Sequence, residues 1–184
     1  MLSITINQEN LKELCCFHKR IHDLGINGLT QESFITQLEQ FLETSYISFG
    51  YKQEKEKISI AEKIVVADVR QNPYIKRGFR PNDLTEILEA NEMGYIRYNH
   101  LGNPKYQQDI KEKNFKPAKR RYQAYILTNE NAKNDFEALY HQLHLNQMIC
   151  LICYCQTEEC HRKWLIEVLK IKKRVELKKK RLNQ

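Results

Sequence analysis

The stretch Met148-Ile-Cys-Leu-Ile-Cys-Tyr-Cys-Gln-Thr-Glu-Glu-Cys-His-Arg162 is the part of the chain that says most about the fold. Residues 149–154 form an apolar run of the length of a buried strand, and the polar residues after them predict a turn and then a helix beginning near Glu158. Four cysteines, a histidine and an arginine lie around this turn. In open α/β sheets, ligands bind at the carboxyl ends of the strands. The stretch therefore predicts a strand, a helix and a functional site between them.

Helices and strands alternate along the rest of the chain. Apolar residues at helical spacing predict helices over residues 8–24, 30–42, 83–93 and 134–145. The run Ile64-Val-Val-Ala67 and the segment Tyr95-Ile-Arg-Tyr98 predict two further strands. Residues 105–121 are basic and are expected to be irregular, and residues 122–127 suit either a short strand or the start of a helix. The alternation predicts an α/β fold of three layers, a Rossmann-like and mostly parallel sheet flanked by helices.

The distribution of charge separates a domain from a tail. Residues 170–184 contain eight Lys or Arg and one Glu, which accounts for the net charge of +7, and the remaining residues hold 22 basic and 22 acidic groups. We therefore expect one α/β domain over residues 1–171, with an insertion at 44–63, and a basic helical tail at 172–184 that is separable from the fold. Such a tail predicts nucleic acid as a partner, with salt-dependent affinity. The alternative is a solvated helix end whose lysines suit the negative end of its dipole.

Composition restricts the class of protein. The hydrophobic content of 41% and charged content of 29% are typical of a globular protein. The chain has no apolar run long enough to span a membrane and no signal-peptide pattern at its start, so we expect a cytoplasmic protein without a membrane partner. Cysteines crowded within residues 150–160 are a poor framework for disulfides. The sequence does not indicate an oligomeric state.

Polar side chains follow three of the predicted strands. Asp68 and Arg70 follow the first, Asn99 and His100 the second, and Cys155 through Arg162 the third. Because parallel strands end at one edge of a sheet, we expect these side chains to share a pocket with the loop arginines Arg77 and Arg80. Guanidinium groups suit a phosphate or carboxylate ligand. The alternative is that Asp68 and Arg70 form a structural ion pair with the loop arginines.

The ordered motifs resemble the bacterial domain of unknown function 488. The matching segments are Val66-Ala-Asp-Val-Arg70, Pro73, Arg77-Gly-Phe79, His100-Leu-Gly102 and Cys160-His-Arg162. The resemblance covers roughly residues 64–169 and implies a compact, Rossmann-like α/β fold, but no activity. Two departures matter. Ile26-Asn-Gly-Leu-Thr30 stands where the family has a strand ending in Gly-His-Ser, and Cys153-Tyr-Cys155 stands where it commonly has Cys-Ala-Glu.

The clustered cysteines have three interpretations. Cys153, Cys155, Cys160 and His161 are potential zinc ligands, but Cys-x-Cys followed by Cys-His is not a standard spacing, so we predict neither a metal nor a cofactor. Cys160, near a helix start and Arg162, is a candidate nucleophile, although Glu158 and Glu159 oppose a thiolate there. Cys155 is placed as in rhodanese-like sulfurtransferases, but without their Gly-bearing loop. Buried cysteines also serve simply as small hydrophobic residues.

These features together predict an enzyme that acts on a small anionic substrate. We expect this substrate to carry a phosphate group, as a nucleotide or a nucleic-acid fragment does. Arg70, Arg77, Arg162 and Cys155 are the predicted substrate-binding residues. Asp68 would orient an arginine, His161 or His100 would act as general acid or base, and Cys160 is a further catalytic candidate. The alternatives are a non-catalytic module binding nucleic acid or a phospholigand, and a rhodanese-like sulfurtransferase. The absence of a Gly-rich phosphate loop argues against ATP or NAD.

Overall fold

The computed structural model describes Glu13, Phe17 and residues 20–48, 64–144, 148–155 and 159–182. Its strands are β1 (Ile21–Gly25), β2 (Ile64–Asp68), β3 (Gly94–Arg97) and β4 (Met148–Cys153). A 3-10 turn, Asn99–Leu101, follows β3. The helices among the described residues are α1 (Gln31–Ser48), α2 (Pro81–Ala90), α3 (Tyr106–Glu112), α4 (Phe115–Thr128), α5 (Glu130–His144) and α6 (His161–Leu182).

The four strands form one sheet in the order β1-β4-β2-β3, and every neighbouring pair is parallel. The register places Asp68 beside Arg97 on β3 and beside Ile152 on β4, so the strands end together at one edge. The predicted α/β fold with a parallel, Rossmann-like sheet is therefore confirmed.

Alternate residues of the central strands supply two separate cores, one on each face of the sheet. Val65, Ala67, Ile149 and Leu151 face a cluster formed with α4, α5 and α6. Their neighbours along β2 and β4 face a second cluster formed with α1 and α2. Every residue of β2 and β4 is buried, and apart from Asp68 at the end of β2 both strands are apolar runs without polar alternation. The result is the three-layer arrangement that the sequence predicts.

The amino-terminal part differs from the prediction. Residues 8–24 were expected to form a helix that ends at Gly25, but Ile21–Gly25 is the edge strand β1. This strand pairs with β4, with Ile21 opposite Ile149 at one end and Gly25 opposite Cys153 at the other. Glu13 and Phe17 are helical, and the other residues of the predicted helix before Arg20 lie outside the described residues. A helix therefore cannot extend to Gly25, because pairing with β4 holds residues 21–25 extended.

Two further segments also correct the prediction. Residues 105–121, expected to be irregular, form α3 and the first half of α4. Residues 122–127 are helical, as in one of the two alternatives, but they continue α4 rather than start a helix. Of the proposed insertion at 44–63, residues 44–48 complete α1, while 49–63 lie outside the described residues. Residue 158 also lies outside them, and α6 begins at His161. The basic segment continues α6 as far as Leu182.

Gly102 brings the loops after β2 and β3 into close contact. A Cβ atom on Gly102 would lie 2.8 Å from the backbone nitrogen of Gln71 and 2.9 Å from its Cα. We expect Gly102→Ala to lower the free energy of unfolding by about 1–3 kcal/mol, because one of the two loops must move. Urea denaturation measures this. Asn99→Ala, an exposed change in the same turn, is the control, and equal midpoints for the two variants would contradict the prediction.

Candidate functional site

The connection from β4 to α6 brings four donor side chains together, which we call the Cys/His cluster: Cys153, Cys155, Cys160 and His161. Cys153 ends β4, Cys160 immediately precedes α6, and His161 is its first residue. Their ligand atoms all lie within 4.8 Å of one another. The Sγ atoms of Cys153 and Cys160 are 3.2 Å apart, and Cys160 Sγ lies 3.9 Å from His161 Nδ1. All four side chains are buried, so the cluster is a site inside the protein rather than on its surface.

Each ring nitrogen of His161 lies near one particular protein atom. Nε2 lies 3.1 Å from the carbonyl oxygen of Val69, in the loop after β2. A carbonyl oxygen only accepts, so Nε2 carries the proton in this bond, and Nδ1 is left on the side of Cys160. The rings of Tyr122 and Tyr106 pack edge-on against the imidazole at 5.6 and 6.5 Å. The orientation of His161 is thus fixed from the neighbouring strand and from two helices.

Arg162 reaches back to the cluster. Its Nε donates to Cys160 Sγ at 3.3 Å, and one terminal nitrogen donates to the carbonyl oxygen of Cys155 at 2.8 Å. The same nitrogen lies 3.6 Å from a carboxylate oxygen of Asp23 on β1. The other terminal nitrogen is buried without a hydrogen-bond partner among the described residues. Arg162 is 2% exposed, so its positive charge acts on the cluster from within the protein.

Asp68 and Arg70 form a second buried charged group at the same edge. Asp68 Oδ1 accepts from the backbone N–H and Nε of Arg70 at 3.0 and 2.8 Å, and Oδ2 accepts from Nη2 at 2.6 Å. The hydroxyl of Tyr95 on β3 donates to Oδ2 at 2.7 Å. Arg70 Nη1 bonds to the hydroxyl of Tyr154 at 3.1 Å. The guanidinium is therefore held by protein groups, in a structural ion pair of Asp68 with Arg70. This is the part of the alternative interpretation that concerns these two residues.

The surroundings of the Cys/His cluster favour opposite charges on two neighbouring side chains, Cys160 and His161. Hydrogen bonds from the thiols of Cys153 and Cys155 lower the pKa of Cys160, against the opposing effect of burial. Burial raises the pKa of Cys153, which keeps that thiol protonated as a donor. Burial also disfavours a charged His161, but hydrogen bonds with Cys155 and Cys160 outweigh this and raise its pKa to about 9. The geometry thus favours negative charge at Cys160 and positive charge at His161.

An open pocket of about 320 Å³ lies on the outer side of His161. Its aromatic wall consists of His161, Tyr106, Phe115 and Trp164. Its polar residues are Asn103, Asp109, Lys113 and Glu159. The pocket therefore lies between α3, the start of α4 and the start of α6.

The structure separates the residues that were predicted to share one cleft. His161 is on the wall of this pocket, whereas Arg70, Arg77, His100 and Arg162 are not. Arg70 and Arg162 are buried beneath the strand ends, and Arg77 is exposed on the loop before α2. His100 is 45% exposed and pairs through Nδ1 with Asp135 of α5 at 3.1 Å. Parallel strands bring their ends to one edge, but the direction of each side chain depends on the following loop.

The pocket also contains residues that the sequence reasoning missed. Tyr106, Asp109 and Phe115 belong to residues 105–121, which were expected to be irregular, and Asn103 shortly precedes them. Asp109 is buried and accepts from Asn103 at 2.8 Å and from Arg121 of α4 at 2.5 Å. The signal that could have located it is the spacing of Tyr106 and Asp109, which are three residues apart and share one face of a helix.

The sequence matches the family described as Domain of unknown function DUF488 over residues 33–169, more than half of the chain. The chain belongs to this family. The DUF488 match includes Asp68, Arg70 and the whole Cys/His cluster, whereas β1 and the basic end of α6 lie outside it. The description of the DUF488 family assigns no activity.

Further comparisons found no similar protein with an assigned function. No curated protein and no solved structure matched the chain. Among the described residues, no helix has the length and apolar character needed to cross a membrane. The function must therefore be inferred from the site itself.

Proposed function

We propose that the pocket beside His161 binds a small anionic ligand that carries a planar ring, such as a nucleotide or a nucleic-acid fragment, and that the protein is an enzyme acting on it. The observation that supports this is the combination of an aromatic wall with the start of a long helix in one open pocket. The volume of about 320 Å³ is at the lower end of the range for small-molecule sites.

The aromatic wall suits the planar part of such a ligand. Tyr106, Phe115 and Trp164 come from three different helices and line the same space. A nucleobase stacks on aromatic rings with little dependence on its identity. Trp164 is buried, whereas Tyr106 and Phe115 are partly exposed, so we expect a base to contact these two rings. Phe115 lies at the start of α4 and is the ring that we choose for a test.

The charges around the pocket suit an anionic group. The pocket adjoins the first residue of α6, where the positive end of the helix dipole favours anions. Lys113 adds a cation, and Asp109 is neutralised by Arg121. Glu159 opposes an anion, but it is exposed and screened by solvent.

In this proposal the predicted site residues act in different ways. The ring of His161 forms part of the wall, while its nitrogens are held by Val69 and by the cluster. Arg70 and Arg162 are positioning residues, since both are buried and bonded to protein groups. Asp68 orients Arg70. Roles for Arg77, His100, Cys155 and Cys160 in binding or catalysis stay predictions.

Binding is tested by calorimetry with the four ribonucleoside monophosphates, the matching nucleosides and inorganic phosphate. We expect a monophosphate to bind more tightly than its nucleoside or phosphate alone. Phe115→Ala should weaken binding about tenfold or more, because base stacking contributes about 1–3 kcal/mol. Leu127→Ala, an exposed apolar change on the same helix, is the matched control. Equal affinity of the Phe115→Ala variant and the wild type for every probe would contradict the proposal.

A second pair of variants tests whether Lys113 helps to bind the anionic group of the ligand. Lys113→Gln should weaken binding a few-fold at low salt and less at high salt, because the ammonium is exposed and screened. Lys111→Gln on α3, also exposed, should leave affinity unchanged. Mass spectrometry of the bound probe after incubation then separates an enzyme, which converts it, from a binding module, which returns it intact.

Nucleic acid is a second proposed partner, at a different surface. Arg174, Lys178 and Lys179 are exposed on the carboxyl-terminal half of α6. Exposed basic residues along one helix suit contacts with phosphates, which are independent of base sequence. A variant that tests this surface is given in the Discussion.

A further inference from the structure

The Cys/His cluster has the composition and dimensions of a metal site. Its four ligand atoms, three sulfurs and one imidazole nitrogen, lie within 4.8 Å of one another. In a tetrahedral zinc site, thiolate and imidazole ligands are separated by roughly 3.5–3.8 Å, as follows from bond lengths near 2.3 and 2.0 Å. The two separations within the cluster of 3.2 and 3.9 Å fall on either side of this range.

Hydrogen bonds outside the cluster orient the ligands. Val69 accepts from Nε2 of His161, so Nδ1 faces the sulfur side and would offer its lone pair there once a metal ion displaces its proton. A hydrogen bond of this kind from the second ring nitrogen is the usual support of a metal-binding histidine. The backbone N–H of Cys155 donates to Cys153 Sγ at 3.2 Å, and this bond would stabilise the thiolate that forms when a metal ion displaces the thiol proton.

The charge of Arg162 also fits a metal site. Three thiolates and a divalent ion carry a net charge of −1, and a buried guanidinium donating to Cys160 Sγ balances it. With three neutral thiols, the same guanidinium would have only the carboxylate of Asp23 at 3.6 Å as a charged partner among the described residues. A buried charge is costly unless it is paired.

We propose that the Cys/His cluster binds one zinc ion through four protein ligands, Cys153, Cys155, Cys160 and His161. Soft thiolates with one imidazole select zinc over magnesium or calcium, and four protein ligands are typical of a structural zinc. The ion would join the end of β4 to the start of α6 and hold His161 in place. This goes beyond the proposed function, since it requires no ligand in the pocket.

Metal analysis of the protein purified under reducing conditions is the first test. We expect about one zinc per chain, a lower melting temperature after removal of the metal by a chelator, and recovery on addition of Zn²⁺. Replacement by Co²⁺ should give the visible absorption bands of a tetrahedral thiolate site. Absence of zinc together with absence of the cobalt bands would overturn the proposal, as would a Cys153–Cys160 disulfide in the isolated protein.

Two cysteine variants provide a matched comparison. Cys155→Ala should lose most of the zinc, whereas Cys150→Ala should retain it, because Cys150 faces the opposite core of the sheet. If Cys155→Ala does not fold, displacement of Co²⁺ from the wild type by a thiol-specific reagent provides the second readout, and three thiols should react as the cobalt bands disappear. Full zinc retention in Cys155→Ala would overturn the four-ligand assignment.

Discussion

Replacing Asp68 by alanine should lower the free energy of unfolding by about 3–5 kcal/mol, the cost of leaving one partner of a buried ion pair without the other. The carboxylate accepts three hydrogen bonds from Arg70 and one from Tyr95, and neither Asp68 nor Arg70 is more than 1% exposed. Without it, the guanidinium of Arg70 keeps only its bond to Tyr154 among the described side chains. Urea denaturation followed by circular dichroism measures the change.

Two further variants show whether the charge of Arg70 causes the loss. Asp135→Ala removes a carboxylate that bonds to the backbone N–H and the ring of the exposed His100, and should cost about 1–2 kcal/mol, less than Asp68→Ala. The double variant Asp68→Leu/Arg70→Met should recover part of the stability, because apolar side chains can replace a buried pair at little cost. A loss below about 1 kcal/mol for Asp68→Ala would contradict the prediction.

Strands β2 and β4 could be predicted from sequence because every residue in each is buried between two helical layers. Their apolar runs carry the signal locally. Strand β1 could not be predicted in this way, since Ile21-His-Asp-Leu-Gly25 is an edge strand in which Leu24 is the one buried residue. It is a strand because it pairs with β4, more than a hundred residues away in sequence.

Helices α3 and α4 were missed for another reason. The apolar residues of α4 at the core, Ala118, Tyr122 and Ile126, are four residues apart and mark a narrow stripe. Lys, Arg and a proline at position 117 surround them. The pattern is therefore weakly amphipathic. The helix is stabilised by its packing against α5 and α6 more than by the helix propensity of its own residues.

The candidate site was predictable to the extent that it is local in sequence. Cys153 through Arg162 lie on one short connection, so their proximity could be inferred directly. The bond from His161 to Val69 depends on the pairing of β2 with β4, and the pocket depends on α3 and α4. His100 was expected at the site, but α5 supplies Asp135 beside it and holds it elsewhere.

The carboxyl-terminal half of α6 contacts the rest of the domain at several points. The sequence predicted that these residues form a separable tail, which would lack such contacts. Lys173 is buried, pairs with Glu13 at 2.7 Å and lies over the ring of Phe17. Glu176 accepts from the hydroxyl of Tyr140 on α5 at 2.5 Å. Leu177 is 4% exposed. These contacts indicate that residues 172–182 contribute to stability.

Deleting residues 172–184 should therefore lower the free energy of unfolding by about 4 kcal/mol or more. Removing a buried leucine side chain costs about 2–5 kcal/mol, and losing hydrogen bonds to charged groups adds about 1–3 kcal/mol each in partly buried positions. Chemical denaturation of the truncated and full-length chains measures the difference. An unchanged midpoint would instead support the division into a domain at 1–171 and a separate tail.

A charge variant separates this stability from nucleic-acid binding. Arg174→Gln/Lys178→Gln/Lys179→Gln changes only exposed residues, so stability should stay within about 1 kcal/mol of the wild type. If the surface binds nucleic acid, the variant should have a lower affinity for single-stranded and duplex DNA and RNA. The slope of the logarithm of the binding constant against the logarithm of the salt concentration should also become shallower, by the equivalent of up to about three phosphate contacts. Unchanged affinity and salt dependence would show that these cations do not contact phosphates. The basic end of α6 would then act only in stability, through its buried face.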